Sequence, residues 1–219
     1  MFPVRIASVL SGASRAQLSY WRKEIAPLGP LLVPESRRGR AFLYSVADVL
    51  ALRSIVYLRE EKSLPKIRKA VAYLKEIEHD DWTHLADYRL IRTAATIYVE
   101  RPDRRRVDLE AHPGHELVNV SEDASDERSV AMSSVLAEFE NVRGRTVPDF
   151  FAPREHVAVN RDVLGGFPVI RGTRVPFDVI ADLVTSGASS AVIARLYPTV
   201  AAEALPSALE FSELIDAAR

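Results

Sequence analysis

The chain of 219 residues contains no cysteine, which excludes disulfides, thiolate metal centres and cysteine nucleophiles together. Nowhere do eighteen apolar residues run together, and residues 1–10 lack the basic segment followed by an apolar run that marks a secretory signal. A cytoplasmic protein without membrane contact is therefore expected. Net charge is almost absent too, at −1, but the charges are unevenly distributed. Residues 1–78 carry 14 basic and 7 acidic side chains, residues 79–160 carry 10 and 16, and residues 161–219 carry 5 and 7. A basic head on an acidic body implies a polyanion partner for the head and a different partner for the rest. Apolar residues at 47% and charged residues at 27% suit a folded chain with a core.

Within the head, Ile6, Val9 and Leu10 have the spacing of one apolar helix face, broken at Ser11 and Gly12. Ser14 is placed to cap a second helix running to Lys23, with Leu18 and Trp21 on its buried stripe. Arg15, Gln17, Ser19, Tyr20, Arg22 and Lys23 are left as candidate DNA-contacting residues. Two short helices joined by a glycine turn, the second rich in basic and hydrogen-bonding side chains, suit a major groove. Pro27, Gly29, Pro30 and Pro34 then forbid helix, and the runs from Leu31 to Val33 and from Ala41 to Tyr44 flank a basic tip at Arg37, Arg38 and Arg40. This predicts a β-hairpin wing, so residues 1–78 are expected to form a winged helix-turn-helix. Ser45 caps a further helix through Val49, Leu52, Ile55 and Val56 that ends near Glu60. Ser63 starts another, with Ile67, Ala70, Val71 and Leu74 opposite Lys66, Arg68, Lys69 and Lys75.

The pattern of Gly12 to Ser14, Leu18, Tyr20 and Trp21, the wing from Pro34 to Arg40, Leu43 to Ser45, Asp48 and Val49, then Ser63, Leu64, Ile67 and Arg68 resembles the MerR family. The resemblance covers about residues 5–77 and implies DNA binding. It departs at two positions, where Ser19 and Phe42 stand in place of arginines usual in that family, and Arg15 and Arg40 are the candidate substitutes.

Residues 79–150 predict a small antiparallel sheet. Ala94 to Val99, Arg106 to Glu110 and Glu116 to Val120 read as strands, separated by turns at Pro102–Asp103 and His112–His115. The apolar positions Val135, Leu136, Phe139 and Val142 have helical spacing, so a helix over 130–142 is expected. The pair His112 and His115 has no third ligand fixed by spacing, and no metal site is expected.

Residues 151–219 predict a short strand at Val169–Ile170 and three helices. The first begins at Phe177 and closes at Gly187, the second is capped by Ser189, and the third starts near Leu205 because Pro206 must lie in its first turn. Gly166, Pro168, Ile170, Gly172, Thr173, Arg174 and Pro176, followed by Gly187, Tyr197, Pro198, Ala208, Leu209 and Phe211, resemble the domain-of-unknown-function family 433 over about residues 155–215. With the MerR-like head, the whole chain is similar to a VapB-type antitoxin. The resemblance implies a VapC-like toxin, a PIN-domain ribonuclease, as partner.

The expected fold is α+β, mainly α, in three parts: residues 1–78, 79–150 and 151–219. The expected function is neutralisation of that ribonuclease and repression of the operon through operator DNA. Arg171, Arg174, Arg195 and Arg219 are the candidate toxin contacts, because an arginine can enter an acidic metal site. The alternative is a ligand-responsive MerR-like regulator without a toxin. No nucleophile, general base or metal triad emerges, so neither catalysis nor a cofactor is expected. A homodimer is expected, since helix-turn-helix proteins commonly read paired half-sites.

Overall fold

The computed structural model describes residues 1–34, 36–117 and 135–218. Its elements are mixed: seven α-helices and four small antiparallel sheets among the described residues. No described helix is long and apolar enough to cross a membrane.

α1, Val4–Ser11, buries Ile6, Ala7, Val9 and Leu10 and stops at Gly12, whose φ of 76° is the left-handed geometry glycine adopts without cost. α2, Arg15–Trp21, starts with a capping box: Ser14 Oγ accepts from Gln17 N at 3.2 Å, and Gln17 Oε1 accepts from Ser14 N at 2.8 Å. Leu18 and Trp21 are buried beneath it. Two of the head's strands form the hairpin predicted from its basic tip. β2, Ser36–Arg38, pairs with β3, Ala41–Tyr44, in the register Arg37 opposite Phe42, and β1, Phe2–Pro3, covers the other edge of β3.

The run Leu31 to Val33 is not a strand, contrary to expectation. Leu31 and Leu32 are both buried, which the alternating sides of a strand on one core do not allow, and Leu31 N donates to Trp21 O at 3.0 Å. α3, Val46–Leu58, has its own capping box from Ser45 and Asp48 and is apolar on nearly every side, as befits a helix through the middle of a core. α4, Leu64–Glu78, carries Pro65 in its first turn and buries Ile67, Ala70, Val71 and Leu74. Lys66 and Lys69 are exposed as expected, but Arg68 is buried and donates to Gly29 O at 2.8 Å. Lys75 is half-buried, its ammonium 5.4 Å from the centre of the Trp82 ring.

The middle sheet is a meander of β4, Arg89–Arg92, β5, Ile97–Glu100, β6, Arg106–Asp108, and β7, Glu116–Leu117. Its first strand, β4, has no counterpart in the pattern of the sequence. The predicted strand over 116–120 is met at its start, and residues 118–120 lie outside the described residues. The sheet is held to the head by buried charge: Glu110 bridges Lys62 at 3.3 Å and Lys66 at 2.6 Å, and Arg92 reaches Glu60 at 2.7 Å.

The helix predicted over 130–142 does not continue through its described part. Helical geometry ends at Leu136, and β8, Phe139–Glu140, pairs instead with β9, Thr146–Val147. The cause is tertiary. Arg53 in α3 takes the carbonyls of Val135, Leu136 and Ala137, and the Phe139 ring sits edge-on to Tyr57 at 5.9 Å.

β10, Val157–Ala158, pairs with β11, Val169–Ile170, ahead of α5, Phe177–Thr185, α6, Ser190–Leu196, and α7, Ala204–Ala217. The caps fall where the sequence predicts, with Ser189 Oγ accepting from Val192 N at 3.4 Å and Pro206 in the first turn of α7. Phe177 and Phe211 pack edge to face at 4.8 Å between α5 and α7. This helical unit docks on the head through α1 and α7, with an Arg5–Asp216 ion pair and the Met1 amino group donating to Gly165 O at 2.9 Å. Gly166 is required there, since a Cβ on it would lie 2.6 Å from Val46 Cγ2.

Candidate nucleic-acid interface

α2 is amphipathic: with Leu18 and Trp21 in the core, Arg15, Ser19 and Tyr20 lie in solvent, Tyr20 at 45% exposure. Lys23, just beyond the helix, is exposed as well. Gln17 differs from its neighbours. It is half-buried, and its carbonyl oxygen is spent on the capping box.

Arg22 caps the C-terminal end of α2 and turns toward the hairpin, where it donates to the Tyr44 hydroxyl and lies 4.4 Å from the centre of the Phe42 ring. Burial pushes the Tyr44 hydroxyl's pKa up, so at neutral pH it is protonated and its oxygen accepts the Arg22 bond. Arg37, opposite Phe42 in the β2–β3 register, lies 4.2 Å from the same ring centre. Each guanidinium is thus held by attraction to the ring's electron-rich face. Phe42 has a physical role in this chain: it orients two arginines. The tip beyond them, Arg38, Gly39 and Arg40, is exposed, and Gly39 has a φ of 60° with no atom within 4 Å of where a Cβ would stand. Helix and hairpin therefore share one basic face, with cations in the kind of arrangement that suits phosphate.

A second hairpin abuts the other end of α2. Asn141, at the start of the β8–β9 turn, donates from Nδ2 to Gly12 O at 3.0 Å. Val147 of β9 packs so closely on Gly12 that a Cβ there would overlap it. The helical spacing of Val135 to Val142 hid this hairpin. The recurrence of Arg-Gly-Arg, at 38–40 and again at 143–145, was the available signal.

The C-terminal candidates are not gathered at one point. Arg171 is exposed, with Nε donating to Glu155 O at 2.8 Å; Arg174 borders a groove of about 630 Å³ with Asn160, Thr173, Val175 and Thr199. Arg195 is exposed in the last turn of α6, and Arg219 lies outside the described residues. The His112 and His115 rings stack at 5.4 Å. Among the described residues no group of three or more acidic or histidine side chains is arranged to hold a metal.

Residues 157–212, from β10 into α7, match the family described as protein of unknown function DUF433. The resemblance drawn from Gly166 to Phe211 is met by that match. Among curated proteins the chain is similar to the uncharacterized protein y4eO of Sinorhizobium fredii, 40% identical over 65 residues. That stretch is 30% of this chain and 29% of the relative, so the chain covers less than a third of its relative's length. No solved structure gives a significant match.

Proposed function

We propose that the protein is an antitoxin of the VapB kind, which binds operator DNA through α2 and the β2–β3 hairpin and neutralises a VapC-like PIN-domain ribonuclease through its C-terminal part. The observation that carries the DNA half is the joint seat of Arg22 and Arg37 on Phe42, which makes one basic face of helix and hairpin. Side chains already ordered in the free protein give up less freedom on binding. Arg22, Lys23 and the hairpin arginines take phosphates and set register, while Arg15, Ser19 and Tyr20 face the bases. Two copies reading paired half-sites complete this reading.

The toxin half rests on the resemblance to VapB-type antitoxins, with the exposed Arg171, Arg174 and Arg195 as its candidate contacts. A PIN-type site is an acidic cluster around a divalent ion. A guanidinium entering it pairs with the carboxylates by charge-assisted bonds and displaces the ion.

A ligand-responsive regulator without a toxin is the second reading. It is favoured by a cleft of about 540 Å³ between the α1–α2 turn and the end of α7, floored by Val9, Ala13, Val147 and Leu214. Co-expression with the neighbouring reading frame separates the two. Co-purification of a small ribonuclease in a silenced state is the expected result; a chain that purifies alone with a small molecule in the cleft favours the regulator.

For the DNA half, the triple variant Arg37→Gln, Arg38→Gln, Arg40→Gln is expected to weaken operator binding and flatten its salt dependence. The slope of log K against log salt should fall by about 0.9 for every phosphate that is no longer neutralised. Fluorescence anisotropy across a salt series measures it, and an unchanged slope removes this hairpin from the interface.

A further inference from the structure

We infer that the β8–β9 hairpin is a second DNA arm, whose Arg143 and Arg145 grip the phosphate backbone of duplex DNA beside the N-terminal end of α2. The inference rests on the operator-binding reading and extends it to residues outside the winged unit.

The turn from 141 to 145 is built by one side chain. Asn141 Oδ1 accepts from the backbone N–H groups of Arg143 at 3.0 Å and Arg145 at 3.2 Å, and Gly144 N donates to Asn141 O at 2.8 Å. The same side-chain amide donates to Gly12 O through Nδ2, so the fold of the tip and its attachment to the α1–α2 turn are one construction. Gly144 has a φ of 66°, close to the 60° of Gly39 in the first hairpin. Both hairpins thus end in Arg-Gly-Arg with a left-handed glycine between the arginines.

Their positions are complementary. The first hairpin joins α2 at its C-terminal end, through Arg22 on Phe42 and Tyr44. The second joins at the N-terminal end, where Gly12, Gln17, Asn141, Val142 and Arg143 line one small cavity. α2 spans seven residues, or about 10 Å at 1.5 Å per residue. A helix that short, flanked at each end by a basic tip, extends its footprint along the backbone on both sides.

The tip is also available. Arg143 and Arg145 are exposed, and among the described residues neither guanidinium has a hydrogen bond or carboxylate partner. Val142 beside them is 52% exposed, an apolar surface for a sugar edge. Glu138 and Glu140 precede the turn, and Glu140 Oε1 comes within 3.3 Å of where a Cβ on Gly144 would stand, so one carboxylate lies at the tip without pairing with either guanidinium. Two unengaged cations on a rigid support, next to a helix that presents Arg15, are placed for phosphate.

The test uses the full-length chain with Arg143→Gln and Arg145→Gln, beside the triple variant of the first hairpin. Operator binding is measured across a salt series and by hydroxyl-radical footprinting. The double variant should melt like the parent, show a salt slope smaller by about 0.9 per arginine, and give up protection on one flank only, opposite to the flank exposed in the triple variant. Parental slope and footprint in the double variant, with a reduced slope in the triple variant, overturn the second arm and leave the first intact. Absence of operator binding by the parent chain overturns both this inference and the DNA-binding reading.

Discussion

Replacing Arg53 by methionine is expected to destabilise the fold by about 3–5 kcal/mol, the range for stranding buried polar partners. Arg53 is wholly buried in α3, and its guanidinium donates to five backbone carbonyls: Leu10, Val135, Leu136, Ala137 and Pro148. The centre of the Phe139 ring lies 5.2 Å from it. Burial lowers its pKa to about 10, which still leaves it a cation at neutral pH, and the charge of Asp149 acts in the opposite direction. Methionine fills much of the space of the stem but removes the Arg53 donor from all five carbonyls, of which Leu136 O still accepts from Phe150 N at 2.8 Å. Lysine keeps the charge as a point with fewer donors, so Arg53→Lys should recover only part of the loss. Denaturant unfolding gives the free energies, and hydrogen exchange should report early opening of residues 135–148. A loss below about 1 kcal/mol for the methionine variant would mean that these bonds contribute little net stability.

Gly12→Ala is expected to cost about 2–5 kcal/mol, from two separable sources. A φ of 76° costs an ordinary L-residue about 1–2 kcal/mol, and forcing a methyl group against Val147 adds about 1–3 kcal/mol of overpacking. Gly39→Ala provides the control, because Gly39 shares the left-handed backbone but faces open space. It should cost only the first part. At this chain length 1 kcal/mol moves the melting temperature by about 2–4 °C, so thermal unfolding resolves the two variants. Equal losses would refute the close seat of β9 on the α1–α2 turn.

Both substitutions act at one place, where residues 135–150 pack into the head. That segment is distant in sequence from α1 and α3, yet Arg53 and Gly12 are built around it. Charge and spacing confine the DNA-binding expectation to residues 1–78 for this reason. Arg143 and Arg145 belong beside α2 only because Asn141 reaches Gly12.

What was legible in the sequence was local chemistry. Ser14, Ser45 and Ser189 begin helices because a hydroxyl can accept from the amides of its own first turn, whatever lies farther away. Gly12 and Gly187 follow helices because left-handed backbone suits glycine there. The basic tip at Arg37 to Arg40 needed only the turn and its flanking strands, although its first strand is Ser36–Arg38 rather than Leu31 to Val33.

The sequence by itself thus determined the helix starts, the uneven charge and the first hairpin, since each depends on neighbours a few residues apart. Tertiary structure decided the rest. Helical spacing from Val135 to Val142 gave way to a hairpin because Arg53 and Tyr57 offered better partners for its carbonyls and for Phe139. Arg68, which its spacing puts on a basic face, and Arg53, which no local pattern marks, are buried supports for backbone carbonyls. The reason is the same in each case. A buried polar group must find its partner wherever the fold brings one, and sequence spacing carries no record of pairings made across 39, 95 or 129 residues.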